Sequence, residues 1–369
     1  MIKEILADLV RIDSVSSRSN AEIIEYIEKR CQKLHLMTGY VPYVDQNLVQ
    51  KFNLTAISHR TDNVELAIVG HTDTVPYDPN WSEATNLTER DGKLYGRGSC
   101  DTKGFIAAAL TAMETVKPKK PVALVFTADE EIGLVGAKVL AENQALRVRY
   151  SIVGEPTSLK PIRAGKGYSL AEVIVKGREA HSAYPALGAS AVFRAARLIH
   201  RLESIATELK KDQHPAFDPP YTTLNVGVIH GGSAKNVLAG ECRFTLEWRP
   251  IPSQPSDHVL NLFHAAIEEE TKLDPDFQCE VDASRQDTGF ETSPDSPLVK
   301  LLERASGKES GTVAFGTEAA QMMRLGGGES VVIGPGDIRE AHRTGEFVPV
   351  DELERCAEIL KTAIETLCT

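Results

Sequence analysis

Residues 65–73 read ELAIVGHTD, an apolar run that breaks off in a histidine and, two positions later, an aspartate. Three other short apolar runs end the same way. VALVFTA (122–128) gives way to Asp129, Glu130 and Glu131, YSIVG (150–154) to Glu155, and SVVIG (330–334) to a glycine-rich turn leading to His342. Unbroken apolar runs of this length are predicted to be strands buried on both faces. Helical patterns lie between and after them, over 102–116, over 134–143 and from 351 onward. Strand and helix in alternation predict an α/β domain, a mostly parallel sheet covered by helices. In such a sheet ligands bind outside the carboxyl ends of the strands, where these runs deliver their imidazoles and carboxylates. Asp101, in the loop that opens the first of those helices, is expected at the same edge.

The fourth run lies far from the other three, which predicts an insertion. Residues 166–287 have a different texture: YSLAEVIVKG alternates apolar and polar side chains, a helical pattern covers 189–209, and TTLNVGVIHGG, ECRFTLEWR, a helix over 256–270 and FQCEVDA follow. The order strand, helix, strand, strand, helix, strand predicts a ferredoxin-like α+β unit, an open sheet with helices on one side. The expected domains are therefore 1–165 plus 288–369, and an inserted 166–287. Between its first helix and second strand, DQHPAFDPP (212–220) reads as an extended loop, because its prolines exclude regular helix.

Composition narrows the function. The 369 residues are 42% hydrophobic and 25% charged, with 27 glycines and 19 prolines, close to the averages for globular proteins. A net charge of −11 argues against nucleic acid as a partner, since a phosphate backbone calls for a clustered basic surface. The cysteines, Cys31, Cys100, Cys242, Cys279, Cys356 and Cys368, are too scattered for a CxxC motif, and a reduced, cytoplasmic chain is the simplest expectation. The opening MIKEILADLVRIDSVSS spreads charges through its apolar positions, so it reads as an amphipathic helix and not as a signal peptide. No stretch approaches the ~18 apolar residues of a membrane span.

Taken singly, a glutamate after a strand is usually solvated and a lone histidine is usually a surface or satisfied core residue. Jointly, two histidines and several carboxylates converging from distant parts of the chain match what zinc accepts. Asp73 falls on the same side of extended chain as His71, so its carboxylate is expected to accept the imidazole N–H that faces away from the metal. Glu130 and Glu131 are adjacent and diverge, so one can ligate while the other faces an open position; the pattern alone does not assign them. Two doubly charged zinc ions would be neutralised by the carboxylates of Asp101, Glu131 and Glu155 with one bridging hydroxide. Five side chains can hold two ions only if one carboxylate bridges. YGRGSCD (95–101) has an aspartate where a dinucleotide fingerprint needs its third glycine, and neither a Walker A nor a Gly-x-Ser-x-Gly motif is present. Cys100 has no partner base indicated and reads as a packed bystander.

GHTDTVP (70–76), DGKLYGRGSCDTKG (91–104), TADEE (127–131), IVGEPTSL (152–159) and IGPGDIREAH (333–342) resemble, in order and spacing, the co-catalytic zinc aminoacylase and carboxypeptidase family. The resemblance spans essentially the whole chain. It implies that His71, Asp101 and Glu155 hold one zinc and that Asp101, Glu131 and His342 hold the other. Asp101 bridges, Glu130 is the general base, and cobalt is a possible substitute metal. It further implies hydrolysis of the amide bond of an N-acyl amino acid, and a homodimer formed through the insertion, which acts as a lid. His181 in EAHSAYP, Asn236 in GGSAKNVLAG, Arg249 in EWRP and Thr317 in GTEAA match positions that the family uses around substrate, with His181 expected to reach the partner subunit's site. The sequence departs from the family in reading DTKG where DMKG is common, and in Gly316, where cysteine is frequent.

Overall fold

The computed structural model describes residues 1–369, which divide into two compact units. One comprises Met1–Arg163, Glu291–Gly311 and Thr317–Thr369, and the other Ala164–Phe290 with a short return, Thr312–Gly316. The first part of the chain forms α1 (Ile2–Arg11), α2 (Ala21–Lys33), β1 (Met37–Val44), β2 (Gln50–Ile57), β3 (Asn63–His71), β4 (Thr88–Arg90), β5 (Lys93–Tyr95), α3 (Lys103–Glu114), β6 (Val122–Thr127), α4 (Val135–Asn143), β7 (Arg147–Val153) and β8 (Ile162–Gly165). Then come β9 (Tyr168–Lys176), α5 (Ala191–Leu209), β10 (Thr223–Gly231), β11 (Glu241–Arg249), α6 (His258–Leu273) and β12 (Gln278–Asp287). The remainder forms β13 (Phe290–Glu291), α7 (Pro297–Ser306), β14 (Gly311–Val313), α8 (Ala319–Met323), β15 (Glu329–Val332), β16 (Phe347–Pro349) and α9 (Val350–Cys368).

The four apolar runs are the centre of the main sheet, in the order β6-β3-β7-β15 and parallel throughout. Every residue of β6 is buried, as a strand covered on both faces requires. Leu6, Leu9, Ile27, Phe105, Leu110, Leu124, Ile152, Leu353 and Leu360 share one core, in which α3 packs on α1 and α9. The β1–β2 hairpin, antiparallel to β6, extends the sheet at one edge. It was not legible as a paired element: β1 alternates only weakly and carries a glycine and a proline, Gly39 and Pro42. A small sheet of β16, β5 and β4 ties the segment before Asp101 to the segment after His342.

The second unit is a four-stranded antiparallel sheet in the order β10-β11-β9-β12. Counted along the chain, this is second, third, first, fourth, the ferredoxin-like arrangement that strand and helix order predicted. Val173, Val175, Phe244, Leu246 and Trp248 point to one face, where Leu198 and Leu202 of α5 and Phe263 of α6 cover them. Residues 212–220 form neither helix nor strand.

Gly154, at the end of β7, lets α3 approach the sheet. A Cβ there would lie 2.2 Å from Phe105 Cδ1, inside the ring's contact radius. Gly154→Ala is expected to cost about 1–3 kcal/mol by overpacking. Urea unfolding should show a lowered midpoint with an unchanged slope.

Candidate metal centre

The carboxyl ends of the parallel strands deliver the side chains as the apolar runs imply. His71 is the last residue of β3, Asp129 to Glu131 follow β6, Glu155 follows β7, and the loop after β15 carries His342. Asp101 is the common neighbour. Its Oδ1 lies 2.9 Å from His71 Nε2 and its Oδ2 lies 3.2 Å from His342 Nε2. The Glu131 carboxylate completes the group, with Oε1 and Oε2 at 3.1 Å and 3.0 Å from His342 Nε2. One ligand atom each from His71, Asp101 and Glu131 falls within 4.8 Å of the others. Glu155 is buried and faces Asp101 and Glu130 closely enough for their charges to act on it.

Asp73 organises the other side of His71, in a way that differs from the expectation. His71 Nδ1 is 3.1 Å from the Asp73 carbonyl oxygen and 3.7 Å from its carboxylate. The backbone oxygen therefore accepts the Nδ1 proton and leaves Nε2 turned toward Asp101. The carboxylate instead accepts from Ser16 Oγ at 2.7 Å, from the Glu130 amide at 3.1 Å and from the Glu131 amide at 3.3 Å. Asp73 thus joins the β3 end to the β6 end, and it fixes the backbone from which Glu130 and Glu131 diverge.

That turn needs Asp129 in the left-handed region, with φ of 55°. Aspartate tolerates this conformation better than most residues. Here its carboxylate is anchored by Lys51 Nζ at 2.7 Å and Tyr43 hydroxyl at 2.8 Å. Lys51 is itself fully buried and also donates to the Ser16 and Arg18 carbonyls.

The electrostatics are those of a site built for cations. Burial opposes charge on His71, yet Asp101 and Asp73 outweigh it and raise the imidazole well above its ordinary value. Asp101 and Glu131 push His342 up to about 10. Burial also acts against the charge on Asp101, but His342 and His71 hold that carboxyl well below its usual range. Burial drives Glu130 and Glu155 well above the carboxylate range, with the neighbouring carboxylates adding to it. The charges acting most strongly on these groups are one another's, an excess of negative charge that divalent cations would neutralise. Imidazole nitrogen and carboxylate oxygen are also the right donors for zinc or cobalt, so the residues present fit a dinuclear centre.

Two further buried acids lie outside the residues that the sequence pattern singles out. Glu318, one residue after Thr317 in GTEAA, has neither carboxylate oxygen in a hydrogen bond, and burial pushes it up to about 7. Glu346, four residues after His342, accepts from the loop that carries Asp101. No local pattern marks either acid, and only their burial distinguishes them from surface glutamates. Of the expected substrate residues, Thr317 is buried, and its hydroxyl accepts from the Ala319 amide at 3.2 Å. His181 and Asn236 are brought together in the second unit: Ser182 N donates to Asn236 O at 2.9 Å, and His181 bridges Val237. Arg249 lies at the opposite end of the same sheet, 4.5 Å over the Tyr168 ring and paired with Glu247.

Residues 67–366 match the profile of peptidase family M20/M25/M40. The chain is 49% identical to an acetylornithine deacetylase of Myxococcus xanthus, over 100% of this chain and 97% of that one. Among solved structures, aminopeptidase PepT from Bacillus cereus superposes with a TM-score of 0.78 at 22% identity, covering 99% of this chain and 98% of that one. The Bacillus subtilis YXEP protein, described as a dinuclear metal-binding peptidase of the M20 family, superposes with a TM-score of 0.68 at 15% identity, covering 99% and 97%. The chain belongs to peptidase family M20/M25/M40. It is a metal-dependent amidohydrolase of that family, acting on a small-molecule substrate, and no helix is long and apolar enough to cross a membrane.

A metal ion requires neutral imidazole, so uptake by the metal-free protein must displace the His342 proton, which is held from its ordinary 6.5 up to about 10. Apparent metal affinity is therefore expected to strengthen as pH rises through that window. Calorimetry at pH 7.5 in two buffers of different ionisation enthalpy should give different binding heats, and equal heats would refute proton release.

Proposed function

We propose that the protein removes the acetyl group from N-acetyl-L-ornithine, giving L-ornithine and acetate in arginine biosynthesis, with two zinc ions per subunit and cobalt able to replace them. The observation that carries the chemistry is Asp101 set between His71 and His342, with Glu130 beside Glu131 and outside that contact. The substrate rests on the full-length similarity to acetylornithine deacetylase at 49% identity. On this reading His71, Asp101 and Glu155 hold one ion and Asp101, Glu131 and His342 the other. When bound, such a pair polarises an amide carbonyl and lowers the pKa of water between the ions.

The residues of the chain do the rest. Glu130, kept basic by burial, takes the proton of the attacking water and returns it to the departing amine nitrogen. Asp73 fixes the orientation of both His71 and the Glu130 backbone. Arg249 offers a planar fork for the free α-carboxylate of the substrate. His181 donates to the oxyanion, with Asn236 and Thr317 completing the contacts.

The spacing of these residues within one subunit favours a shared site. Glu241 pairs with Lys176 at one end of β11 and Trp248 with Ser169 at the other, so His181 and Arg249 are separated by the length of the sheet. At ~3.3 Å per residue that distance is on the order of 25 Å. A homodimer in which the partner lends His181 resolves the mismatch. The surface that would form it is exposed and apolar: Tyr184, Leu187 and Phe193, with Val228 and Ile229 on the edge strand β10. All six cysteines are free, which suits a cytoplasmic enzyme.

Glu130→Gln is expected to retain both metals and to lose about 10²- to 10⁴-fold in kcat. Unaltered turnover would defeat its role as base. Rates on acetylornithine, acetylcitrulline, succinyl-diaminopimelate and a dipeptide, with metal quantified per subunit, test the substrate, and preference for any other compound overturns it. Ile229→Asp should sediment as a monomer that binds metal yet has lost most activity; an active monomer would refute the shared site.

A further inference from the structure

Glu346 is fully buried and lies four residues beyond His342, yet the donors to its carboxylate do not include an imidazole. Its carboxylate is instead wrapped by the chain leading into Asp101. Oε1 accepts from the Cys100 amide at 2.9 Å and the Asp101 amide at 3.0 Å. Oε2 accepts from the Gly98 amide at 3.1 Å and from Arg97 Nη1 at 2.7 Å. The backbone of the same residue is used as well: its carbonyl accepts from the Gly96 amide at 3.1 Å, and its amide donates to Arg343 O at 3.3 Å. Three amides of one short loop, all aimed at a single carboxylate, make an anion-binding concavity whose anion is supplied by the protein itself. The hydrogen bonds are charge-assisted and shielded from water, which makes them stronger and more directional than neutral ones.

We infer that Glu346 is a positioning residue for the metal centre: it clamps the loop carrying Asp101 to the segment carrying His342, so that one carboxylate can address both imidazoles. This rests on the reading of Asp101 as the shared ligand. The amide that Glu346 Oε1 holds is that of Asp101 itself, so a shift of this loop moves the Asp101 carboxylate directly. Arg97 completes the device. It is buried, it pairs with Oε2, and its Nη2 reaches the Pro76 carbonyl at 3.3 Å, in the segment that follows His71 and Asp73. Glu346 thereby connects, through one buried ion pair, the three stretches of chain that carry His71, Asp101 and His342.

Glu346→Gln separates positioning from bulk. Glutamine keeps the volume, but its one oxygen can face only one pair of donors, and its amide group must then point at the other pair. The full-length enzyme, loaded with Co2+ and equilibrated against a chelator of known affinity, should show metal affinity reduced about 10- to 100-fold. The visible absorption of the bound cobalt should change as well, because the geometry at Asp101 changes. The unfolding midpoint of the metal-free variant controls for a merely structural role. A lowered midpoint with unaltered cobalt affinity and spectrum overturns the inference. Wild-type enzyme that fails to take up two cobalt ions removes the premise of a dinuclear site, and the inference falls with it. Wild type that binds two, matched by Glu346→Gln, overturns the inference alone. If Glu346→Gln does not fold, Arg97→Gln is measured in the same way, since it deprives the buried carboxylate of its cation. A smaller loss of affinity with a shifted spectrum supports the clamp, and wild-type values for both overturn it.

Discussion

One buried carboxylate with an imidazole at each oxygen is the constraint from which the rest of the structure follows. Asp101 meets His71 through Oδ1 and His342 through Oδ2, and these residues come from a strand end, a helix-opening loop and a return segment more than two hundred positions away. No local structure could bring them together. A parallel sheet, whose strands all end on one side, gathers such distant residues at one edge. The inserted unit is compatible with this because the chain leaves and re-enters the first unit between β8 and β13, so β15 still pairs in parallel with β7.

Gathering acids in this way works against stability. Desolvation disfavours the ionised forms of Glu130, Glu155 and Glu318, and like charges compound it. The fold offsets this with buried groups that do no chemistry. Lys51 and Tyr43 hold Asp129, Arg97 holds Glu346, and Ser16 and two backbone amides hold Asp73. Lys51 and Arg97 balance charge and the neutral donors supply hydrogen bonds, all to acids that shape turns, which leaves the acids of the centre without a lysine or arginine partner. The division explains why conspicuous buried ion pairs surround the site while the site lacks one of its own with lysine or arginine.

The main sheet and the inserted fold were legible because each has a sharp periodic signature: uninterrupted apolar runs for β3, β6, β7 and β15, and alternation for β9 and β11. The residues at the run ends stood out for the same reason. What stayed hidden depends on contacts distant in sequence. The second face of His71 is the clearest case. Side-chain alternation correctly puts Asp73 beside His71, yet the carboxylate is drawn away to the Glu130 and Glu131 amides, and the carbonyl of Asp73 takes its place. Nothing near position 73 could report that the β6 turn lies within reach. Glu346 and Glu318 were invisible for a related reason, since a buried acid and a solvated one have the same local sequence.

The chemistry and the proposed recognition are carried by different elements. Hydrolysis needs the edge of a sheet whose register is fixed by buried strands, and small errors there move several ligands at once. Holding an N-acyl amino acid by its α-carboxylate and oxyanion needs only a few polar contacts, and on the present reading these sit on Arg249, His181 and Asn236, on a strand end and two surface loops. Loops and strand ends tolerate substitution far better than buried strands do. The fold can therefore be retained at 22% and 15% identity in the solved relatives, while a relative at 49% identity carries the argument about substrate. It follows that the residues around Arg249 and His181, and not the metal centre, are where a change of substrate should be sought.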